Sequence, residues 1–283
     1  MKNWKERAAN YVFLAAALVS TLAVVLICVF LFASGLPAIF EIGPANFLLG
    51  RVWKPLENLF GIFPMIVGSL YVTAGAIAVG VPIGILSAVF MAYFCPPRLY
   101  KLLKPATELL AGIPSIVYGF FGLMVIVPLM QDLFGGSGKG LLTASILLGI
   151  MILPTIIGVA ESALRAVPAP YLEGSLALGA SEEKSVFRVM LPAAKSGILA
   201  GVILGVGRAI GETMAVVMVA GNQTIMPEKI TSGVRTLTAN IVMEMGYAAD
   251  GLHRDALIAT AVVLFIFILL INLCFSALKR RQS

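Results

Sequence analysis

Charged residues are scarce in this sequence. Only 12% of its 283 residues are Asp, Glu, Lys or Arg, whereas 60% are hydrophobic and the mean hydropathy is +1.01. Soluble domains carry about 25% charged residues. The shortage of polar surface excludes a soluble globular protein.

Histidine and cysteine are equally rare. The chain has one histidine, His253, and three cysteines, Cys28, Cys95 and Cys274, which lie in or beside apolar segments without paired spacing. Metal sites and disulfide frameworks need such residues in clusters or at characteristic spacings. We therefore expect no disulfide, no metal site, no cofactor and no catalytic residue. His253, alone in a connecting segment, is expected to be a surface residue.

The net charge is positive, at +6, but the basic residues form no cluster. Lysine and arginine lie between apolar runs instead. A nucleic-acid-binding protein gathers its basic residues on one solvated face. The distribution excludes nucleic acid as a partner and is typical of the loops of a membrane protein.

Long apolar runs dominate what is present. Six of them are long enough to cross about 30 Å of hydrocarbon. They cover residues 12–36, 64–94, 106–130, 141–163, 193–220 and 256–277. We therefore predict an all-α fold, a polytopic membrane helix bundle with six transmembrane helices.

An even number of spans puts both termini on one side, and the basic residues indicate which side. Thirteen of them fall on the side of the termini: Lys2, Lys5, Arg7, Arg98, Lys101, Lys104, Arg165, Lys184, Arg188, Lys195, Lys279, Arg280 and Arg281. Six fall on the other side: Arg51, Lys54, Lys139, Lys229, Arg235 and Arg254. Loops rich in lysine and arginine stay in the cytoplasm. The asymmetry predicts cytoplasmic termini.

The segment 162–195 is more patterned than a short connector needs to be, and it reads as two short helices with a turn. Pro170 suits the start of the first helix, and Gly179 can take the positive φ that ends it. Ser181 then caps a second helix that carries acids in its first turn. Pro192 closes this unit and begins the fifth span.

This loop resembles the coupling loop of the membrane subunits of ATP-binding-cassette (ABC) importers. The family pattern is Glu-Ala-Ala, a three-residue gap, Gly, a nine-residue gap and Ile-x-Leu-Pro. The matching positions are Glu173, Gly174, Ser175, Gly179, Val189, Leu191 and Pro192, with departures at Gly174, Ser175 and Val189 that keep the side chains small or aliphatic. The resemblance implies that the loop, about residues 162–192, docks into a groove of a separate ATPase subunit. The alternative is an amphipathic loop helix lying on the membrane surface.

Two further segments, Leu109–Leu123 and Gly207–Asn222, resemble the permeases of phosphate-specific importers. The resemblance implies a type I ABC importer permease-like fold, with an N-terminal helix and first outer loop at 1–63 and the permease domain at 64–283. It also implies a location in the bacterial cytoplasmic membrane, surrounded by lipid. The implied partners are a second related permease in a heterodimer, a homodimeric ATP-binding subunit, and an extracytoplasmic phosphate-binding protein.

Arg208 and Glu212 are four positions apart in the fifth run, so on one helix they share a face. A central arginine costs about 2.5 to 3.5 kcal/mol to insert, so both charges should face protein or a wet cavity. Arg208 would offer its planar fork of donors to a phosphate oxyanion, Glu212 would hold that fork in place, and Thr213 would add a hydroxyl donor. The alternative is a structural ion pair at a subunit interface.

Other features have simpler interpretations. Small residues at four-residue spacing in the fifth run, Ala193, Gly197, Gly201, Gly205 and Ala209, predict close helix packing, and the partner permease is one candidate for the packed helix. Glu161 is expected to be solvated or to cap a helix end. The alternative functions are a permease for another oxyanion, such as molybdate or sulfate, and a multispan membrane enzyme or channel without an ATPase.

Overall fold

The computed structural model describes residues 4–280, and this part of the chain is almost wholly helical. In chain order the elements are α1 (Trp4–Ile42), α2 (Pro44–Leu49), β1 (Trp53–Lys54), β2 (Leu59–Phe60), α3 (Phe63–Val89), α4 (Pro97–Gly112), α5 (Ser115–Phe121), α6 (Val127–Phe134), α7 (Leu141–Arg165), α8 (Ala169–Ala177), α9 (Glu182–Ser185), α10 (Leu191–Ala193), α11 (Lys195–Gly211), α12 (Met214–Val219), α13 (Leu237–Met245) and α14 (Leu252–Arg280). Wider π-helical turns at Phe90–Phe94, Gly122–Ile126 and Val186–Met190 extend α3, join α5 to α6, and join α9 to α10.

Five helical segments in this part of the chain are long and apolar enough to cross a membrane: Ala8–Ile42, Phe63–Phe94, Ser115–Phe134, Leu141–Arg165 and Leu252–Cys274. The pair Glu182–Ala193 and Lys195–Gly211, bent by 70°, makes the sixth. The predicted all-α bundle of six membrane segments is confirmed, with its fifth segment bent. Two of the basic residues used for the topology, Lys2 and Arg281, lie outside the described residues.

The start of α1 and the end of α14 lie on one face of the bundle. Phe32 meets Phe265 edge to face with ring centroids 5.8 Å apart, and Gly35 lies against Val262. Residue numbers rise along one helix as they fall along the other, so the two helices are antiparallel. We call this side the terminal face and the opposite side the distal face. Because each span reverses direction, the loop 166–194 lies on the terminal face.

The third span begins later than predicted. The apolar run covers 106–130, but α4 ends at Gly112 and α5 begins at Ser115. Ile113 and Pro114 are extended, with ψ of 127° and 141°. Proline lacks the N–H of a helical hydrogen bond and disfavours a helical residue before it. These two residues interrupt the apolar run of the third span, and α4 is a separate helix before that break, packed against α7 with none of its own residues buried.

The centre of the bundle is α7, the most deeply buried span of the described chain, with α3 and α11 packed along it. The small-residue stripe of α11 faces α7. A Cβ added at Gly201 would lie 3.1 Å from Val159, and one at Gly205 would lie 2.9 Å from Ile156. Glycine allows this close approach of two backbones. The stripe therefore packs within this chain, and the suggestion that it packs on a partner permease is wrong.

Two connecting segments fold together on the distal face. After α2, strands β1 and β2 pair Trp53 with Phe60, and between α12 and α14 the chain forms α13. The Leu237 N–H at the start of α13 donates to Ser69 Oγ of α3 at 2.9 Å. Leu237, Trp53 and Phe60 belong to one buried apolar cluster. These segments are structured parts of the bundle.

Candidate functional site

The fifth span is broken next to the predicted anion site. α11 ends at Gly211, Glu212 is extended with φ −69° and ψ 130°, and α12 begins at Met214. Glu212 Oε1 accepts the backbone N–H groups of Thr213 at 3.1 Å and Ala215 at 3.3 Å. This carboxylate caps α12, a role that competes with continuing the helix. The prediction that Arg208 and Glu212 share one helix face is wrong, because Glu212 lies outside α11.

Hydroxyl groups satisfy the backbone carbonyls at this break. Thr213 Oγ1 donates to the Gly211 carbonyl at 3.2 Å, and Thr238 Oγ1 of α13 donates to the Glu212 carbonyl at 3.1 Å. Within a membrane an unpaired carbonyl is costly, so a broken helix needs such donors. Sequence reasoning missed Thr238, since it lies in a segment that reads as a connecting loop.

Arg208 occupies the face of α11 that the rest of the described chain leaves open. The stripe covers one face with α7, and Val202, Val206 and Ile210 cover a second with α14. On the third face Leu204 is exposed, and a Cβ added at Gly207 or Gly211 would meet nothing within 4 Å. Arg208 lies on this open face, four positions after Leu204 and therefore on the same side of the helix.

The guanidinium of Arg208 has little to bind in this chain. Its side-chain hydrogen bond goes to Thr155 Oγ1 of α7 at 3.4 Å, near the upper limit for such a bond. Among residues 4–280 it forms no ion pair, with Glu212 or with any other carboxylate. A guanidinium carries five N–H donors. The described chain therefore leaves most of the donors and the charge of Arg208 unmatched.

The break in the third span lies beside the break in the fifth. Tyr118 Oη of α5 donates to the Leu110 carbonyl of α4 at 2.8 Å, across the extended residues at Pro114. α5 packs against α12, and a Cβ added at Gly119 would lie 2.9 Å from the Cα of Ala215. Both packed helices begin directly after a break. The structure thus places two interrupted spans in contact.

The terminal-face loop has the local structure predicted for it. Gly179 has φ +85° and follows α8, and its N–H donates to the Leu176 carbonyl at 2.9 Å. Ser181 caps α9, its side chain accepting the Lys184 N–H at 3.3 Å. Ser175 Oγ lies 2.8 Å from Ser185 Oγ, so the two short helices are joined by a side-chain hydrogen bond.

The remaining residues of the loop pattern lie on its surface or at its end. Glu173 and Gly174 are exposed on α8, and Pro192 is exposed on α10 beside the half-buried Leu191. The bend of 70° follows α10, so the straight part of the fifth span begins at Lys195 and not at Pro192. Proline is tolerated in the first turn of α10 because that position needs no helical N–H donor.

The sequence led us to expect a solvated or helix-capping Glu161, but its carboxylate is buried. Its side chain is 1% exposed and accepts hydrogen bonds from Tyr100 Oη at 2.7 Å, Lys104 Nζ at 2.9 Å and Arg165 Nε at 2.8 Å. The hydrogen bond to Glu161 raises the pKa of Tyr100 and of Lys104 above their usual values. Lys104 therefore stays an ammonium at neutral pH.

His253 is not a surface residue either. Its side chain is 20% exposed, and its Nε2 lies 3.0 Å from Glu244 Oε2. Glu244, 7% exposed, also accepts the indole N–H of Trp53 at 2.8 Å and pairs with Arg235 at 2.6 Å. This distal-face cluster joins β1, α13 and α14, which the sequence separates widely.

Comparison with known proteins gives consistent matches. The family model described as "Binding-protein-dependent transport system inner membrane component" matches residues 80–283. The probable ABC transporter permease protein YqgH of Bacillus subtilis is 40% identical over 268 residues, covering 91% of this chain and 87% of that protein. The phosphate transport system permease protein PstC of Mesorhizobium japonicum is 35% identical over 265 residues, covering 87% of this chain and 81% of that protein.

Solved structures share the fold. A chain of the inward-facing MetNI methionine ABC transporter has a TM-score of 0.60 at 22% identity, covering 82% of this chain and 100% of that chain. A chain of a bacterial alginate ABC transporter, in complex with an alginate-bound periplasmic protein, has a TM-score of 0.67 at 15% identity, covering 99% and 98%. At these identities the likeness concerns the fold alone, and it confirms the predicted type I ABC importer permease fold.

Proposed function

We propose that this chain, which belongs to the family of binding-protein-dependent transport system inner membrane components and is a permease subunit of an ABC importer, conducts phosphate. Relatives named as phosphate permeases support this substrate, since several PstC proteins are 34% to 36% identical to the chain. The fold does not discriminate among substrates, because the similar structures include methionine and alginate transporters.

The observation that carries the proposal is the unmatched charge of Arg208. An arginine within a span is costly unless something balances it. Its fork of donors fits two oxygens of a phosphate, and such charge-assisted pairs are among the stronger hydrogen bonds. Glu212 does not supply the balance, because its carboxylate is bonded to the start of α12. A mobile anion is the natural counter-charge.

Glu212 and Thr213 take a different role from the one first expected. They hold the break that lets α11 end beside Arg208, through the α12 cap and the bond to the Gly211 carbonyl. The open face of α11 then lines the phosphate translocation path. A second, related permease covers that face in a heterodimer. Lipid surrounds α1, whose apolar side chains are exposed along most of its length.

The ATPase docks on the terminal face. Its groove receives the loop through six residues, of which all but the half-buried Ser175 and Leu191 are exposed: Glu173, Gly174, Ser175, Gly179, Leu191 and Pro192. The terminal face is then cytoplasmic, in keeping with the excess of basic residues there. A soluble phosphate-binding protein delivers the anion to the distal face, where two connecting segments form a structured surface.

The test is radiolabelled phosphate uptake by cells that lack the chromosomal copy of this chain. Arg208→Gln should lower uptake by about 10- to 100-fold, since a hydrogen bond to a charged group contributes about 1.5 to 3 kcal/mol. Arg208→Lys should also be impaired, because an ammonium lacks the fork. Arg98→Gln, a change at an exposed arginine of α4, is the matched control and should transport normally.

Two outcomes would overturn the proposal. The first is wild-type uptake by an Arg208→Gln complex that assembles normally. The second is restoration by the wild-type chain of labelled molybdate or sulfate uptake but not of labelled phosphate uptake, which would assign the permease to another oxyanion. The single change Arg208→Met separates a packing role from a path role, because it keeps an unbranched apolar side chain but removes the charge and the donors; Glu212 stays unchanged because its carboxylate caps α12.

A further inference from the structure

A buried carboxylate with two cations lies on the terminal face, outside the proposed path. Glu161 accepts hydrogen bonds from Tyr100, Lys104 and Arg165, all between 2.7 and 2.9 Å. The guanidinium of Arg165 also lies over the Tyr100 ring, 4.7 Å from its centroid. We call these four residues the terminal-face charge cluster. Nothing in the proposed anion path uses them.

The cluster supplies side-chain hydrogen bonds that hold α4 against α7. No residue of α4 is buried, so apolar packing contributes little to its position. Tyr100 and Lys104 are its links to α7, and both end on the same carboxylate. Removing the charge of Glu161 would leave Lys104 and Arg165 close together without the buried carboxylate between them, and like charges repel.

The cluster also holds the end of α7, from which the ATPase-docking loop departs. Arg165 is the last residue of α7. Its Nη2 donates at 2.8 Å to the carbonyl of Met91, which lies just beyond the end of α3. Tyr93 Oη donates to the Leu164 carbonyl at 2.8 Å. Pro168, the N-cap of the first loop helix, follows three positions later. A displacement of the loop therefore reaches Arg165 first.

At its other end α4 leads into the broken third span. α4 ends at Gly112, three positions before Ser115 starts α5, and the bond from Tyr118 to the Leu110 carbonyl ties the two helices together. α5 in turn packs on α12, beyond the break that follows Arg208. One continuous set of contacts therefore runs from the docking loop to the two interrupted spans.

We infer that Glu161 is a positioning residue for coupling: it makes α4 move with the end of α7, so that displacement of the docking loop by the ATPase reaches the interrupted third span. The inference rests on the proposed function, since it presupposes an ATPase on the terminal face. A purely structural anchor would affect the amount of assembled complex, whereas a coupling element affects how much substrate moves for each ATP hydrolysed.

The experiment uses the importer complex purified through this chain, reconstituted in lipid vesicles and supplied with the soluble phosphate-binding protein. ATP hydrolysis and radiolabelled phosphate transport are measured on the same sample. Glu161→Gln should keep ATP hydrolysis and lower the phosphate moved per ATP by about tenfold, within the range typical of coupled sites. Glu108→Gln is the matched control. Glu108 is on α4, its side chain is 67% exposed, and it lies 3.9 Å from the same Lys104. The Glu108→Gln complex should move as much phosphate per ATP as the wild type.

Tyr100→Phe keeps the test decisive if Glu161→Gln does not assemble. It removes one hydrogen bond to Glu161 and no charge, and it should lower the same ratio by a smaller factor. If the assembled Glu161→Gln complex moves as much phosphate per ATP as the wild type, the inference is overturned. If Glu161→Gln does not assemble, a wild-type ratio in Tyr100→Phe overturns it. Failure of the proposed function looks different, because the wild-type complex itself would then hydrolyse ATP without moving phosphate.

Discussion

Gly179 is the position at which the docking loop depends most on one residue type. Its φ of +85° is a left-handed conformation, and a Cβ added there would meet nothing within 4 Å. Any loss caused by a side chain therefore comes from the backbone and not from a collision. For an L-residue the left-handed region costs about 1 to 2 kcal/mol, and a β-branched residue fits it worst.

Gly179→Val should therefore disfavour the turn between α8 and α9. A cost of about 1 to 2 kcal/mol lowers the population of the native turn by a factor of about 5 to 30. Two backbone hydrogen bonds would be lost together when the turn opens: the Gly179 N–H to the Leu176 carbonyl and the Ala180 N–H to the Ser175 carbonyl. We expect phosphate uptake to fall by a comparable factor while the protein still inserts.

The controls separate conformation from docking chemistry. Gly174→Ala adds a Cβ at another open, exposed position, but within a helix, and it restores the residue of the family pattern. It should be neutral or stabilising by about 0.5 to 1 kcal/mol. Gly179→Asn should be milder than Gly179→Val, because asparagine tolerates positive φ. The assays measure the amount of this protein in the membrane, the copurification of the ATPase, and phosphate uptake. Normal assembly and uptake by Gly179→Val would refute the reasoning.

The remaining predictions concern the distal face and the topology. Glu244→Gln should destabilise the protein by about 3 to 5 kcal/mol, because it leaves a buried arginine without its counter-ion; thermal unfolding in detergent measures this, and an unchanged midpoint would contradict it. Single cysteines at Ser137 and Ser232 should react with an impermeant thiol reagent added outside the cell, whereas one at Ser181 should not. Labelling at Ser181 alone would invert the orientation.

Local sequence predicted the features that depend on local chemistry. The run at 141–163 predicts α7, which spans Leu141–Arg165, because a continuous apolar stretch of that length has no other stable place in a membrane. The turn at Gly179 and the cap at Ser181 were also predicted correctly. Each requires one residue type at one position, with partners only a few residues away.

Features fixed by distant partners were not predictable in this way. Glu161 is bonded to Tyr100, 61 positions earlier, and Glu244 to Trp53, 191 positions earlier. A solvated carboxylate and a buried, paired one look alike in a single sequence. The burial of Glu161 and His253 follows only from the arrangement of the helices, which places their partners beside them.

The break after Arg208 shows why periodicity alone fails within a membrane. The run from 193 to 220 is mostly apolar, with charges at Lys195, Arg208 and Glu212, and it contains no proline, so one continuous helix is expected from it. The helix nevertheless ends, because a break whose carbonyls find donors loses little. Those donors are Thr213 beside the break and Thr238 on α13, in the distal-face segment that connects α12 to α14.

The same arrangement makes the two breaks suitable joints. In each, a hydroxyl from a neighbouring helix holds a carbonyl at the break: Tyr118 holds that of Leu110, and Thr238 holds that of Glu212. A change of angle there costs a side-chain bond and not a run of helical bonds. The third span is linked to the terminal face through α4, and the fifth to the distal face through α13. Arg208 lies one helical turn before the second break, so a change of angle there would re-orient its side chain relative to α12.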